Sequence, residues 1–493
     1  MNELDQHLQE IDRKKVINAI KLQLPIEMTS YTLSRNMEAY FKGVCDEFLE
    51  VCHQEHLKEY LNFCVSELLT NSKKANTKRV YFKEKGLDIN NREDYEKGME
   101  TFKLDTFADI DHYLEEQKKA GLYVKLSLQI LHDTIIIEVK NNSVLCEFEE
   151  ERIKHKLETA QKYDKLEDVV TNVIDQSEGA GLGIIIIILM LQKVGLSKDN
   201  FKVFTTDTET ITQIILPCDK RIAAGVEIVS YEYISLQNKI PVVRENFEKI
   251  NEIISAEDID RKKMLSIIRD DVTLSLLVLK YAIEKEKDCF SITHGLDLLS
   301  DIELKFIFSD SNPICDLIDK TDEIENLWTH AKRTAFFAYN LYKNTEDTNI
   351  PNSQEYFYTA GLLNNFGRIL IKTASDEQKQ FINELSNQYE GLSEKILDVF
   401  RLGNASNYLT LLFLKKIGFN EEFSVMLSTW NTPELVLENE KVIVDVLYMA
   451  EMMSYYNEKM VDYYQLDKKV MKKFGITSEN QLRTVIKQLC DAQ

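Results

Sequence analysis

Glu67 and Asn71 lie four residues apart, so a helix carrying them sets a carboxylate and an amide oxygen on one face. Oxygen donors of that kind suit magnesium and its bound water. A solvated helix face has the same spacing, and the pair alone leaves both readings open. Further along, Gly179, Gly181 and Gly183 alternate with Ala180 and Leu182 directly ahead of the apolar run from Ile184 to Leu191. Glycines there let backbone approach a phosphate closely, and free amides at a following helix start favour negative charge. The eight cysteines include no Cys-x-x-Cys pair and no histidine at zinc-ligand spacing, so they read as reduced, mostly buried thiols. His7 reads as a surface histidine.

Such residues act only if a scaffold brings them together. With 493 residues the chain is expected to fold as two or three domains. Its 44% hydrophobic content, with only 16 Gly and 6 Pro, describes a helix-rich globular protein. The net charge of -22 is spread along the chain, which excludes a mainly electrostatic grip on nucleic acid or anionic membrane. The longest apolar run falls well short of the roughly 20 residues that cross a bilayer, and no signal-peptide pattern is present, so a cytoplasmic location is expected.

Val44, Phe48, Val51 and Cys52, then Leu57, Leu61, Cys64, Val65 and Leu68, recur at helical spacing and predict two amphipathic helices. Strands are predicted over Arg79–Phe82, Val124–Gln129 and Thr134–Val139, with His132-Asp133 turning between the last two. The charged stretch 83–121 reads as a surface insertion with one or two solvated helices. A second charged helical stretch runs from Phe148 to Val173, and the apolar run after the glycines is a buried helix or strand. Residues 218–230 lack strong periodicity and read as a linker. Beyond them Phe247, Ile250, Ile253 and Ile254, then Leu274, Leu277, Val278 and Tyr281, then Leu327, Ala331, Ala335 and Ala338 predict an all-helical bundle.

The segment Ser66-Glu67-Leu68-Leu69-Thr70-Asn71-Ser72-Lys73-Lys74-Ala75-Asn76 resembles the N box of the GHKL superfamily, the ATP-binding fold of histidine kinases, anti-sigma-factor kinases, gyrase and heat-shock chaperones. Gly179, Gly181 and Gly183 match that family's second glycine box, and Thr210 to Pro217 is similar to its final strand. The resemblance covers roughly residues 35–217 and implies an α/β two-layer sandwich of the histidine-kinase-like ATPase type. It implies that Asn71 holds magnesium through the nucleotide, that Lys74 reaches phosphate, and that Glu67 occupies the position that activates water in some branches. Gly179, Gly181, Leu182, Gly183 and Thr210 would complete the nucleotide site, with 142–178 as the lid. The family's usual Asp-x-Gly box is here Lys140-Asn141-Asn142-Ser143, so Asn141 would meet the adenine amino group through a neutral amide oxygen.

In the second half, Ile240-Pro241, Ile268 to Leu274, Ser291 to Leu299 and Leu327 to Ala331 resemble successive segments of the HDOD domain, a relative of the HD phosphohydrolases found in bacterial signalling proteins. Ala360-Gly361-Leu362-Leu363-Asn364-Asn365-Phe366-Gly367 stands where the superfamily has Gly-Leu-Leu-His-Asp-x-Gly. Asn364 and Asn365 thus replace the His-Asp ligands, and neutral amides bind divalent cations far less well. Of the expected ligand set His330 remains, with Trp430-Asn431 and Glu451 near where others lie; His330 reads as a packed helix histidine. No metal and no phosphohydrolase activity are expected there.

The domain division expected is an amino-terminal helical segment at 1–34, the ATPase-like domain at 35–217, a linker at 218–230 and an HDOD-like helical domain at 231–493. The function implied is a signalling regulator in which ATP or ADP with magnesium switches an HDOD domain that binds other signalling proteins. A second copy of the chain is a further expected partner; nucleic acid and membrane are not. The alternatives are a scaffold without nucleotide binding, or a protein kinase acting in trans with Glu67 in its site.

Overall fold

A computed structural model of the chain describes residues 11–131, 134–160, 183–193, 196–217, 220–309, 311–343, 353–386, 405–431 and 441–491. Two compact units divide between Asp219 and Lys220. His7, the turn at His132-Asp133, and Gly179, Gly181 and Leu182 lie outside the described residues, as does the part 161–178 of the stretch expected to be a lid.

In the first unit the elements run α1 (Arg13–Lys21), β1 (Ile26–Ser30), α2 (Arg35–Val51), α3 (Lys58–Lys85), α4 (Arg92–Ala108), α5 (Ile110–Lys119), β2 (Val124–Leu131), β3 (Thr134–Asn141), α6 (Glu147–Ala160), α7 (Gly183–Lys193), β4 (Phe201–Thr205) and β5 (Thr210–Pro217). The strands form one antiparallel sheet in the order β1-β2-β3-β5-β4. Along β3 burial alternates: Ile135, Ile137, Val139 and Asn141 point inward. The other face carries charge pairs, Lys125 of β2 with Glu27 of β1 at 3.1 Å and, along β3 itself, Lys140 with Glu138 at 2.7 Å. Helices α1, α2 and α3 pack on the sheet. Ser34 caps α2 by accepting from the Met37 amide, and Phe41, Val44, Cys45 and Phe48 form its buried stripe. Helix α3 ends at Gly86, whose φ of +65° is the left-handed cap that glycine adopts without strain.

Three expectations are corrected in this unit. The segment 1–34 is not merely helical, because Ile26–Ser30 pairs with β2 and makes the edge strand of the sheet. Arg79–Phe82 lies within α3, near its carboxy-terminal end, and is not a strand. Its consecutive apolar residues are a pattern that periodicity cannot assign, and tertiary packing decides: Val80, Tyr81 and Phe82 bury against Tyr95, Phe102 and Tyr113. Those three aromatics belong to α4 and α5, so the charged insertion is two helices with a buried aromatic seam. The apolar run after Gly183 is a helix, with Ile185, Ile187, Ile188 and Leu191 buried.

The second unit contains α8 (Lys220–Leu236), β6 (Ile240–Val243), α9 (Arg244–Ile254), α10 (Arg261–Arg269), α11 (Val272–Lys285), α12 (Ile292–Leu298), α13 (Asp301–Ile307), β7 (Cys315–Ile318), α14 (Asp322–Lys343), α15 (Ser353–Leu363), α16 (Phe366–Lys372), α17 (Asp376–Ser386), α18 (Ser406–Ile417), α19 (Glu421–Ser428), α20 (Lys441–Asn457), α21 (Lys468–Lys473) and α22 (Glu479–Asp491). Residues 220–230 of the expected linker are instead part of α8. Val229 and Tyr233, four apart, are buried, and the Tyr233 hydroxyl donates to the Leu370 carbonyl at 2.8 Å. The bundle is not purely helical either, since β6 and β7 form a parallel pair. Asp271, fully buried, caps α11 by accepting from the Thr273 and Leu274 amides, while Asn246 donates to its other oxygen at 2.7 Å. Helix α14 packs against α15 and α20, and this three-helix contact positions the polar cluster described below.

Candidate functional site

The first unit holds a cavity of about 500 Å3 whose lining draws on α3, the end of β3, α6, the start of α7, and β4 and β5. Helix α3 contributes Glu67, Asn71, Lys74 and Lys78, spaced by four, three and four residues and therefore on one face. Asn141 and Thr210 arrive from neighbouring strands, where they are register partners. Gly183 stands at the first turn of α7, with Glu67 against it: a Cβ built there would come within 2.0 Å of Glu67 Oε1, so any larger residue displaces that carboxylate. Of the nucleotide-site residues expected from sequence, Glu67, Asn71, Lys74, Asn141, Gly183 and Thr210 thus meet around one cavity; Gly179, Gly181 and Leu182 lie outside the described residues.

The lining is cationic in an acidic chain. Lys73, Lys74, Lys78, Lys103, Arg152 and Lys156 face Glu38, Glu67 and Glu149. Burial pulls the Lys73 ammonium below its ordinary pKa, against the opposing pull of Glu38 and Asp111, and Lys73 donates to the Leu33 carbonyl at 3.3 Å. Burial also works to raise Glu149, but Arg79 and Lys78 outweigh it and hold that carboxyl down at about 2. Lys78 reaches Glu149 at 2.8 Å and Arg79 at 3.0 and 2.5 Å, which ties the first turn of α6 to α3. Asn71 makes no hydrogen bond with the described residues, and Lys74 likewise makes no ion pair among them.

Several residues at this site went unassigned in the sequence. Asn76 and Ser143 stand behind Asn141: Ser143 Oγ donates to Asn76 Oδ1 at 2.7 Å, and Thr210 Oγ1 donates to the Ser143 carbonyl at 2.6 Å. Both belong to strings that drew notice for other positions. Arg152 and Lys156 are an i,i+4 basic pair on α6, a spacing that would have flagged them within the charged stretch.

In the second unit two of the degenerate HD positions, His330 and Asn365, come together on one carboxylate. His330 on α14 sits between two carboxylates, with Nε2 2.9 Å from Glu451 Oε1 on α20 and Nδ1 3.0 Å from Glu458, the residue after that helix. Asn365, at the start of α16, donates to the same Glu451 oxygen, and Thr334 donates to the other at 3.0 Å. Burial alone would lower the His330 pKa, but the charge of Glu451 and the hydrogen bonds His330 donates to both carboxylates raise it to about 9. Burial likewise pushes Glu451 up, and His330, with help from Arg368 and Asn365, brings it down to about 2. The pair is therefore an imidazolium held by carboxylates at neutral pH, not a neutral imidazole with a lone pair to offer a metal. His330 is a packed, hydrogen-bonded helix residue, its ring 4.5 Å from that of Tyr455. Asn364 is fully buried and neither of its amide atoms has a partner among the described residues. Asn431 is not in the cluster and accepts from Asn407 at 3.4 Å. Among the described residues, no group of three or more His, Cys, Asp or Glu is arranged to hold a metal ion. No described helix is long and apolar enough to cross a membrane.

Residues 240–433 match the HDOD domain family, which defines the second unit's class: this is a multidomain, helix-rich chain with a carboxy-terminal HDOD domain. The chain belongs to the same family as an uncharacterized protein of Treponema pallidum (strain Nichols), 32% identical over 496 residues that cover 97% of this chain and 93% of that one. Among solved structures it is similar to a fragment of the MmoQ response regulator of Methylococcus capsulatus, at 16% identity and a TM-score of 0.39, covering 50% of this chain and 94% of that one. A second MmoQ structure is 15% identical with a TM-score of 0.35, covering 52% and 98%.

Proposed function

We propose that the chain is a signalling regulator whose first unit is a nucleotide-binding module of the GHKL type and whose HDOD unit is a non-catalytic surface for other signalling proteins. The observation that carries this reading is the convergence of Glu67, Asn71, Lys74, Asn141, Gly183 and Thr210 on one cavity beside an antiparallel sheet. The cationic lining supports an anionic ligand, and its volume lies in the range of small-molecule sites. ATP or ADP with magnesium fits best. Asn71 would hold the magnesium through its uncommitted amide oxygen, and that ion would supply neutralisation of phosphate charge. Lys74 would reach the phosphates, and the start of α7 would present backbone amides to them. Helix α6, anchored to α3 through Glu149, would carry Arg152 and Lys156 to the same ligand.

The HDOD unit is read as non-catalytic because both nitrogens of His330 are already engaged and Asn364 and Asn365 replace the acidic and imidazole ligands. Coupling of nucleotide occupancy to partner binding is the regulatory step proposed.

The test is calorimetric binding of ATP and ADP to the full-length protein, with and without magnesium, together with Asn71→Ala. Saturable magnesium-dependent binding that Asn71→Ala weakens by about tenfold or more supports the switch. Silence with both nucleotides leaves the scaffold reading, which the neutral Asn141 in place of an acidic adenine contact favours.

A further inference from the structure

The floor of the cavity is closed by a chain of amides whose orientation is forced. Asn76, fully buried, donates from Nδ2 to the Tyr123 carbonyl at 3.0 Å. A backbone carbonyl only accepts, so the amide nitrogen of Asn76 must point there and its oxygen must face the other way. That oxygen takes the Ser143 hydroxyl at 2.7 Å and Asn141 Nδ2 at 3.4 Å. The Ser143 carbonyl stands 3.4 Å from the same Asn141 nitrogen and cannot donate to it. Both contacts are at the long end of the hydrogen-bond range, but both present oxygen. Flipping Asn141 would set its own oxygen against two acceptors. Asn141 is 3% exposed, lines the cavity, and its Oδ1 accepts from none of the described residues.

We propose that Asn76 is a specificity-determining positioning residue, which fixes Asn141 with its amide oxygen toward the ligand so that the site selects a purine with a 6-amino group over one with a 6-oxo group. The inference rests on the reading of this cavity as an adenine-nucleotide site and adds the residue that orients Asn141 within it. A carboxylate at 141 would accept in either orientation. An amide needs to be told which end to present, and the Tyr123 carbonyl tells it through Asn76. With a 6-oxo purine in the same pose, the exocyclic C6 carbonyl oxygen would face amide oxygen in a buried setting, leaving two acceptors unpaired.

The experiment is calorimetric titration of the full-length protein with ATP and with ITP, each with magnesium; the two differ in the group at C6. Wild type is expected to bind ATP about tenfold or more tightly than ITP. In Asn76→Ala that ratio is expected to fall several-fold, because one of the two acceptors that hold the Asn141 amide nitrogen is gone and only the Ser143 carbonyl remains. In the double variant Asn76→Ala with Asn141→Asp the ratio is expected to recover, because a carboxylate has no wrong end. Equal binding of ATP and ITP by wild type overturns the base preference and leaves the nucleotide reading standing. Binding of neither overturns both. A variant Asn76→Ala that weakens both nucleotides by the same factor overturns the positioning role. The wild-type comparison needs no variant to fold.

Discussion

His330 illustrates how far a side chain's neighbours override its ordinary chemistry. Its imidazolium is stabilised by Glu451 and Glu458 and so titrates near 9, above the usual 6.5. Because the folded value is raised, this contribution to stability is complete below about pH 6.5 and is lost as pH rises through about 9. Glu451 has the opposite sign: its folded value is about 2, below the usual 4.5, so its contribution is complete above about 4.5 and disappears as pH falls toward 2. The HDOD unit should therefore be most stable between about pH 4.5 and 6.5, as far as this pair decides it. Removing the cation should be costly, since it leaves buried carboxylates without their counter-charge. His330→Ala is expected to lose about 3–5 kcal/mol in urea denaturation. A His330 imidazole resonance, assigned by its loss in a His330 variant, that titrates near 6.5 in NMR would contradict the ion pair.

At the scale of elements, the helices of the HDOD unit meet where side chains are absent. A Cβ at Gly361 would lie 2.8 Å from Ala335 Cα, so α14 and α15 touch nearly backbone to backbone. At Gly367 it would lie 2.0 Å from the Ser406 carbonyl oxygen, which belongs to the first residue of α18. Backbone cannot swing aside as a flexible side chain does. Gly367→Ala is therefore expected to destabilise the unit by about 1–3 kcal/mol through overpacking, measured as a lower denaturation midpoint with an unchanged slope. The same closeness sets the site, because α16 begins at Phe366, directly after the Asn365 that donates to Glu451.

Each of the two units has its own buried core: Leu126, Leu128, Ile137 and Ile214 in the first, Leu274, Phe308, Phe337 and Leu447 in the second. Calorimetric unfolding of the whole molecule is therefore expected to give two transitions. Under the proposed function, magnesium with ATP stabilises the first unit by about 2.7 kcal/mol at a hundredfold excess over Kd, and the transition of the second unit does not shift by that direct route. An equal shift of both would mean that the units unfold as one cooperative body.

Local spacing carries much of this protein in its sequence. The face shared by Glu67, Asn71 and Lys74 follows from 3.6 residues per turn, β2 and β3 from alternation and β-branched content, and the HDOD domain from strings such as Gly361 to Gly367. What the sequence could not determine depends on contacts between distant residues. Arg79–Phe82 is helical because α4 and α5 cover it, and Ile26–Ser30 is a strand because β2 offers it a partner about a hundred residues on. Asn76 acquires a role only where β3 brings Asn141 and Ser143 against it, and His330 only where α20 returns Glu451 across 121 residues. Periodicity specifies which face of an element is buried; which residues meet across that face is decided by packing, and a polar residue's chemistry is set by the partners it meets there.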